Sequence, residues 1–199
     1  MVALKEHFPK FTPEEYFAWE EQQLERHGYI DSEVYAMSGG TIAHGEIAGN
    51  FLALLKAYLR GSGCKTLNSD CRVSIVGATK YVYPDISVTC DDRDRTTAQY
   101  VSYPCLIVEV LSPSTEAYGS PSETLRERGN KFKMYRRNPS LQEYVLVSVD
   151  AIEIELFRKT ETGDWRIINY QVGDMVELKS VNFTCQIEQI YEDIVLIDN

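Results

Sequence analysis

The sequence predicts a mixed α/β or α+β domain in which helices flank a mixed sheet. Three observations support this prediction: a capped helix start at Thr12-Pro13, an amphipathic segment that opens at Thr41, and short runs of β-branched and aliphatic residues from Lys65 onward. Sequences that combine these patterns usually fold into packed layers of helix and sheet. No internal repeat or second domain is evident, so residues 1–199 are expected to form a single domain.

The N-terminal third predicts two helices with a hairpin between them. Thr12 is a helix cap, Pro13 suits the first helical position, and acids follow, so a helix is expected to about Arg26. Tyr29–Met37 is typical of a hairpin with Asp31-Ser32 near its turn. The second helix should run from Thr41 to about Arg60, with an apolar face of Ile47, Phe51, Leu54, Leu55 and Tyr58.

The remainder alternates between strands, turns and helices. A helical turn is expected around Thr96–Val101, a helix at Glu123–Arg137 and a short helix at Gln186–Glu192, with Thr162-Gly163-Asp164 as a hairpin turn. Strands are expected near Lys65–Leu67, Cys71–Val76, Val82–Thr89, Cys105–Leu111, Glu143–Ser148, Ala151–Arg158, Trp165–Tyr170 and Met175–Leu178.

Charge and hydropathy restrict the classes of protein. A net charge of −10 argues against broad nucleic-acid binding, which depends on neutralising phosphates. The segment 126–137 nevertheless carries six basic residues against one acid, which is compatible with a polyanionic substrate or with a solvated helix face. The N-terminus lacks the apolar core of a signal peptide and no apolar run could span a bilayer, so a cytoplasmic location is expected.

The five cysteines form no CxxC pair, and the histidines at positions 7, 27 and 44 are scattered away from them. This spacing argues against a zinc site. We expect all five cysteines to be buried free thiols in a reducing compartment.

Two acids interrupt apolar strand patterns. Asp85 follows Pro84, which favours a bend or an edge, and Glu109 shares one strand face with Ile107 and Leu111. A carboxylate among aliphatic residues is costly unless it is paired or binds a cation. Acids from consecutive strands could hold one hard metal ion, whereas the alternatives are a turn-forming aspartate and a glutamate paired with a structural Arg or Lys.

Three further residues could act with these acids. Lys131 precedes Tyr135 by one helical turn, so the two side chains share a face, and the lysine could offset charge on a phosphate or could simply be solvated. His44 and Glu46 lie at the start of the second predicted helix. Glu46 could contact a metal or merely favour the helix dipole, and His44 could be a cap or a substrate contact.

Several segments together resemble the Uma2 family, also known as DUF820, a group of restriction-endonuclease-like proteins expanded in cyanobacteria. The similarity extends over nearly the whole chain and includes the Tyr29–Val34 hairpin segment and the His44 helix. The segments that carry it most clearly are Tyr83-Pro-Asp85, Ile107-Val-Glu-Val-Leu-Ser-Pro-Ser-Thr115, Gly129-Asn-Lys-Phe-Lys-Met-Tyr-Arg-Arg137 and Leu141-Gln-Glu-Tyr-Val-Leu-Val147.

The resemblance implies a PD-(D/E)XK nuclease with a restriction-endonuclease-like mixed central sheet flanked by helices. By this resemblance Asp85 and Glu109 are the motif acids, and Lys131 replaces the motif lysine, whose usual position holds Leu111. Mg²⁺ or Mn²⁺ would be held by Asp85, Glu109 and the Val110 carbonyl. Glu46 would be a fourth metal contributor, and His44 and Arg128 would contact substrate.

The chain departs from the family pattern at two places. Gly119–Arg126 resembles an insertion, with Glu127 where relatives carry an aspartate, and it could reshape access to the site. The early hairpin reads Asp31-Ser32-Glu33 where relatives carry Asp-Gly-Glu, so its turn lacks the glycine.

The function expected from this resemblance is metal-dependent endonucleolytic hydrolysis of DNA phosphodiester bonds, with a homodimer cutting the two strands. One alternative is a catalytically inactive nuclease-fold module that binds DNA or another protein, which the negative charge favours. A second alternative is a phosphodiesterase that acts on RNA or a nucleotide.

Overall fold

The computed structural model describes residues 10–36, 40–75, 80–96, 99–111 and 131–195. Helix α1 (Pro13–Glu20) begins as predicted, because Thr12 and Glu15 cap each other through reciprocal side-chain to backbone hydrogen bonds. It ends at Glu20 rather than near Arg26, and a strand begins at His27. Helix α2 (Ile42–Tyr58) is capped by Thr41.

The predicted hairpin is confirmed. Strands β1 (His27–Ile30) and β2 (Glu33–Ala36) pair in antiparallel fashion around Asp31 and Ser32. Both turn residues have positive φ, 49° for Asp31 and 73° for Ser32. Two consecutive positive values match a type I′ turn, whose twist suits a two-residue hairpin.

A five-stranded sheet packs against α1. Its order is β2-β1-β5-β4-β7, with β4 (Arg72–Ile75), β5 (Lys80–Val82) and β7 (Tyr100–Val101), and only the β4–β7 pair is parallel among its described pairs. The predicted helical turn at Thr96–Val101 is therefore wrong at its end, because pairing with β4 draws Tyr100 and Val101 into the sheet. A 3₁₀ turn lies earlier, at Asp92–Asp94.

A six-stranded sheet forms the centre of the fold. Its strands are β3 (Lys65–Asn68), β6 (Ile86–Thr89), β8 (Leu106–Val110), β9 (Glu143–Val147), β10 (Glu153–Lys159) and β11 (Trp165–Gln171). Their order is β11-β10-β9-β8-β6-β3, in which β8 and β9 run parallel and the other described pairs are antiparallel.

The single strand predicted at Val82–Thr89 is wrong. Strand β5 ends at Val82 in the five-stranded sheet and β6 begins at Ile86 in the six-stranded sheet, with Pro84 and Asp85 between them. Proline lacks the N–H that a ladder needs, so the chain leaves one sheet here and enters the other.

The remaining described elements close the domain. Residues 131–135 are helical and are called α3, while the predicted residues 123–130 of that helix lie outside the described part. Strands β12 (Met175–Leu178) and β13 (Phe183–Gln186) form a small hairpin, and α4 (Ile187–Ile190) follows. Strand β13 was not predicted.

None of the helices in the described ranges has both the length and the apolar character needed to cross a bilayer.

The two faces of β8 pack into different cores. Leu106, Val108 and Val110 join the main core beneath α2, where Ile47, Phe51 and Leu55 are fully buried. Ile107 joins a second core with Tyr135, Tyr144 and residues of the five-stranded sheet. The predicted alternation is confirmed, and it directs Glu109 toward the second core. In α2, Leu54 is only half-buried and Tyr58 is exposed, so the predicted apolar face is narrower than expected.

The expectation of five free thiols is wrong, because Cys64 and Cys90 form a disulfide. The β3–β6 register pairs Lys65 with Thr89, so the residues just beyond the pair, Cys64 and Cys90, face each other across the sheet. The Sγ atom of Cys105 lies 4.0 Å from that of Cys90, but Cys105 is a free thiol outside the disulfide. The spacing of the cysteines in the sequence does not predict this strand register.

Candidate active site

The bend that carries Asp85 is tied to strand β8. The Asp85 side chain is 15% exposed, and its Oδ2 atom accepts a 2.7 Å hydrogen bond from the Val110 backbone N–H. The contact fixes the aspartate beside the end of β8, one residue from Glu109. The bend predicted from Pro84-Asp85 thus places the acid just before β6, beside the end of β8.

His44 approaches the same aspartate from the first turn of α2. Its Nε2 atom lies 3.3 Å from Oδ2 of Asp85, and its side chain is 19% exposed. The hydrogen bond to Asp85 raises the pKa of His44; burial opposes the rise, while the charges of Asp85 and Glu109 and a Val110 backbone contact reinforce it. The imidazole therefore interacts electrostatically with both carboxylates.

Glu109 is held by two side chains of α3. Lys131 Nζ lies 2.9 Å from Oε2, and the Tyr135 hydroxyl donates a 2.7 Å hydrogen bond to Oε1. The predicted shared face of Lys131 and Tyr135 is confirmed by these contacts. The Glu109 side chain is 7% exposed but that of Lys131 is 51% exposed, so the ion pair lies at the border between core and solvent.

Tyr135 was predicted to share a helix face with Lys131, and its hydrogen bond to Glu109 was not predicted. Burial, followed by the nearby charge of Glu109, raises the pKa of Tyr135 well above its ordinary value. The hydroxyl therefore stays protonated and remains a donor to the carboxylate. The signal in the sequence was the four-residue spacing from Lys131, which places both groups on the face that meets Glu109.

The donor set suits a hard divalent cation. Among the described residues, both contacts of the Asp85 carboxylate fall on Oδ2, which leaves Oδ1 for a cation. No group of three or more His, Cys, Asp or Glu side chains in the described ranges is arranged to hold a metal. Mg²⁺ commonly takes one or two carboxylates and keeps several waters, so a third acid is not required, and of the two acids here Glu109 has both oxygens engaged by Lys131 and Tyr135.

The structure does not bring every predicted residue to this place. Glu46 is exposed and follows His44 by two positions, which turns it about 200° around the helix. It lies one turn before Asn50, whose side chain binds the carbonyls of Ile190 and Glu192 near α4. Glu46 is therefore left out of the cluster, and Arg128 lies outside the described residues.

Comparisons with known proteins agree with this fold. The family model described as "Uma2: Putative restriction endonuclease" matches residues 13–188. The uncharacterized protein slr1290 of Synechocystis is 48% identical over 184 residues, covering 92% of this chain and 93% of that protein. Another uncharacterized Synechocystis protein, sll1609, is 28% identical over 170 residues, covering 84% and 91% respectively.

A solved structure extends the comparison to three dimensions. The crystal structure of "a putative nuclease belonging to DUF820" from Anabaena variabilis superposes with a TM-score of 0.69 and covers 93% of this chain and 99% of that one. At 13% identity this likeness shows a shared fold, which confirms the predicted fold class. The family match spans most of the sequence, and the chain therefore belongs to the Uma2 family.

Proposed function

We propose that the chain is a Mg²⁺- or Mn²⁺-dependent endonuclease that hydrolyses phosphodiester bonds of DNA. The observation that carries the proposal is the meeting of two carboxylates at one strand end beside a half-exposed amine. The backbone N–H of Val110 donates a hydrogen bond to Asp85. Glu109 directly precedes Val110 in the chain, and its carboxylate contacts the Lys131 ammonium. The description of the Uma2 family as a restriction endonuclease family supports the same reaction class.

Asp85, Glu109 and the Val110 carbonyl would hold the cation. A bound divalent cation would supply an acidified water and would offset negative charge on the phosphate. Val110 links the two acids, because its N–H anchors Asp85 and Glu109 directly precedes it in the chain. This arrangement places the acids without requiring a third carboxylate.

The basic residues act on the phosphate. Lys131 is half-exposed, so its ammonium can face an incoming phosphate and stabilise the charge that develops there. Tyr135 fixes the Glu109 carboxylate through Oε1 and so keeps it oriented when Lys131 turns toward substrate. His44, whose Nε2 atom lies 3.3 Å from Asp85 and whose side chain is partly exposed, would contact the substrate.

Cleavage of supercoiled plasmid tests the proposal. The wild-type protein should nick or linearise plasmid in the presence of Mg²⁺ or Mn²⁺. Cleavage should stop when EDTA is added. Asp85→Asn and Glu109→Gln should each lose cleavage by about 100-fold or more, on the scale of removing one key group from an active site. Glu46→Gln is the matched control, since it neutralises an exposed acid of α2 outside the cluster.

Cleavage that survives both Asp85→Asn and Glu109→Gln would reject these residues as the active site. An inactive nuclease-fold module is the outcome if the wild type cuts nothing and calorimetry finds no Mn²⁺ binding at millimolar metal. Substrate panels with RNA and cyclic nucleotides separate DNA cleavage from other phosphodiester hydrolysis. The proposal includes a homodimer, which sedimentation of the protein with and without duplex DNA would detect.

A further inference from the structure

An aromatic groove with two arginines lies beside α3 and has no role in the proposed chemistry. It has a volume of about 520 Å³, within the range of ligand-binding clefts. We define the α3 groove by Phe132, Arg136, Arg137, Trp165 and Ile167, which line it together with Phe157 and the turn at Gly163-Asp164. It includes the described end of the basic segment noted in the sequence.

The walls of the α3 groove combine exposed apolar surface with rigid rings. The Phe132 ring packs at 4.4 Å on Phe157 and meets Trp165 edge to face, with ring centroids 5.1 Å apart and planes at 87°. Ile167 on the same face of β11 is 56% exposed, and Trp165 is half-buried. Rings fixed by their neighbours present a flat face with little loss of conformational freedom on binding.

The charge of the α3 groove is positive in a protein whose net charge is −10. Arg136 and Arg137 are exposed, and within the described ranges neither forms an ion pair with an acid. Arg136 instead lies over Phe132, with Cζ at 5.7 Å from the ring centroid. Asp164 lines the groove too, but one carboxylate against two guanidinium groups leaves the groove with a net positive charge.

The helix sets the distance between the α3 groove and the candidate active site. Lys131 and Tyr135 point to Glu109, while Phe132 and Arg136, each one position later, point about 100° around the helix into the groove. Lys131 and Arg136 are separated by about 7 Å along the axis. The groove and the candidate active site are therefore served by neighbouring positions of one helix.

We propose that the α3 groove binds an unpaired stretch of single-stranded DNA next to the phosphate at Lys131. Trp165 and Phe132 stack on a base, and Arg136 and Arg137 bind the flanking phosphates. Aromatic faces combined with a basic track are the usual means of holding single strands, whereas a paired duplex keeps its bases out of reach of a stacking ring. The inference rests on the proposed nuclease function for its ligand class.

Binding of a short fluorescein-labelled oligo(dT), measured by anisotropy in EDTA, tests the groove without any cleavage. Arg136→Ala and Arg137→Ala should each weaken binding and reduce the slope of log K against log[salt] by about 0.7, the value for one phosphate contact on a single strand. Trp165→Ala should weaken binding by roughly tenfold, on the scale of one lost stacked base. Arg166→Ala is the matched control, because alternation along β11 points Arg166 to the opposite face from Trp165.

A second measurement remains decisive if Trp165→Ala fails to fold. The chain has two tryptophans, so Trp19→Phe leaves Trp165 as the only indole. Titration of this variant with unlabelled oligo(dT) should quench its fluorescence, and a duplex of the same length should quench it far less. Absence of quenching, equal quenching by duplex, or equal losses in Arg166→Ala and Arg136→Ala would each overturn the inference.

The two proposals fail in different ways. If oligo(dT) quenches Trp165 but no plasmid is cut, the nuclease function is rejected and the groove assignment stands. If plasmid is cut while the Arg136, Arg137 and Trp165 variants bind and cut like Arg166→Ala, the groove assignment is rejected and the function stands.

Discussion

The hydroxyl of Tyr135 in α3 donates a 2.7 Å hydrogen bond to Oε1 of Glu109 in β8. Lys131, one turn earlier on that helix, contacts the other carboxylate oxygen. A charged group among apolar residues persists only when such partners satisfy it. The same two contacts therefore stabilise the fold and orient a candidate ligand for a cation.

Removing the hydroxyl tests this coupling. Tyr135→Phe keeps the ring in its core but leaves Oε1 of Glu109 without its donor, and hydrogen bonds to charged groups contribute about 1.5 to 3 kcal/mol. We expect a loss of about 2 kcal/mol in the free energy of unfolding, measured with urea. In a background of Glu109→Met the substitution should cost much less, and equal losses in both backgrounds would show that the bond contributes nothing.

Lys131 and Lys133 provide a matched pair on α3. Lys131 contacts Glu109, whereas Lys133, two positions on, faces solvent. Lys131→Met should reduce plasmid cleavage by about 100-fold, since a charge that stabilises the developing phosphate charge is lost. Lys133→Met should remain within about twofold of wild type. Circular dichroism checks that both variants are folded, and similar activities in the two variants would contradict the role of Lys131.

Glu109 and Glu143 lie on adjacent parallel strands, yet they should respond differently to substitution. Glu143 is fully buried and meets Arg158 at 2.6 Å, the Ser180 hydroxyl at 2.6 Å and two backbone N–H groups. Glu143→Gln leaves the mostly buried guanidinium of Arg158 poorly compensated, so we expect a loss of about 3 kcal/mol.

Glu109→Gln should cost less than half as much in stability, because Lys131 is half-exposed and can return to water. Cleavage should nevertheless be lost in this variant. Urea unfolding, with the m-value unchanged, gives the free energy of unfolding of both variants. If Glu109→Gln is the more destabilising change, Glu109 is mainly a structural residue.

This contrast shows what the sequence alone could predict. Alternation along β8 predicted which face Glu109 occupies, because side-chain direction in a strand is a local property. The partners of Glu143 come from β10 and from the turn at Lys179–Val181, and only sheet register brings them together. The Cys64–Cys90 disulfide also depends on register between distant segments, which no local pattern reveals, whereas Pro84 gave a local signal for the break between β5 and β6.

The disulfide should contribute measurably to stability. It joins residues separated by 26 positions, and closing a loop of that size should stabilise the fold by about 3 kcal/mol. Reduction with dithiothreitol should therefore lower the melting temperature by roughly 10 °C for a chain of this size. In a Cys64→Ser, Cys90→Ser double variant the reductant should have no further effect. Thiol titration confirms that both sulfurs are reduced. If the melting temperature is then unchanged, the prediction is contradicted.

The turn of the first hairpin offers a stabilising substitution. Ser32 adopts φ of 73°, a left-handed conformation that costs about 1 to 2 kcal/mol for residues with a Cβ. Glycine avoids this cost but gains freedom in the unfolded chain, so Ser32→Gly should raise the free energy of unfolding by about 0.5 to 1 kcal/mol. Ser32→Ala is the control, because it removes the hydroxyl and keeps the Cβ, and it should give no gain. If alanine stabilises as much as glycine, the serine hydroxyl rather than the backbone conformation is the source of the strain, and the argument from φ fails.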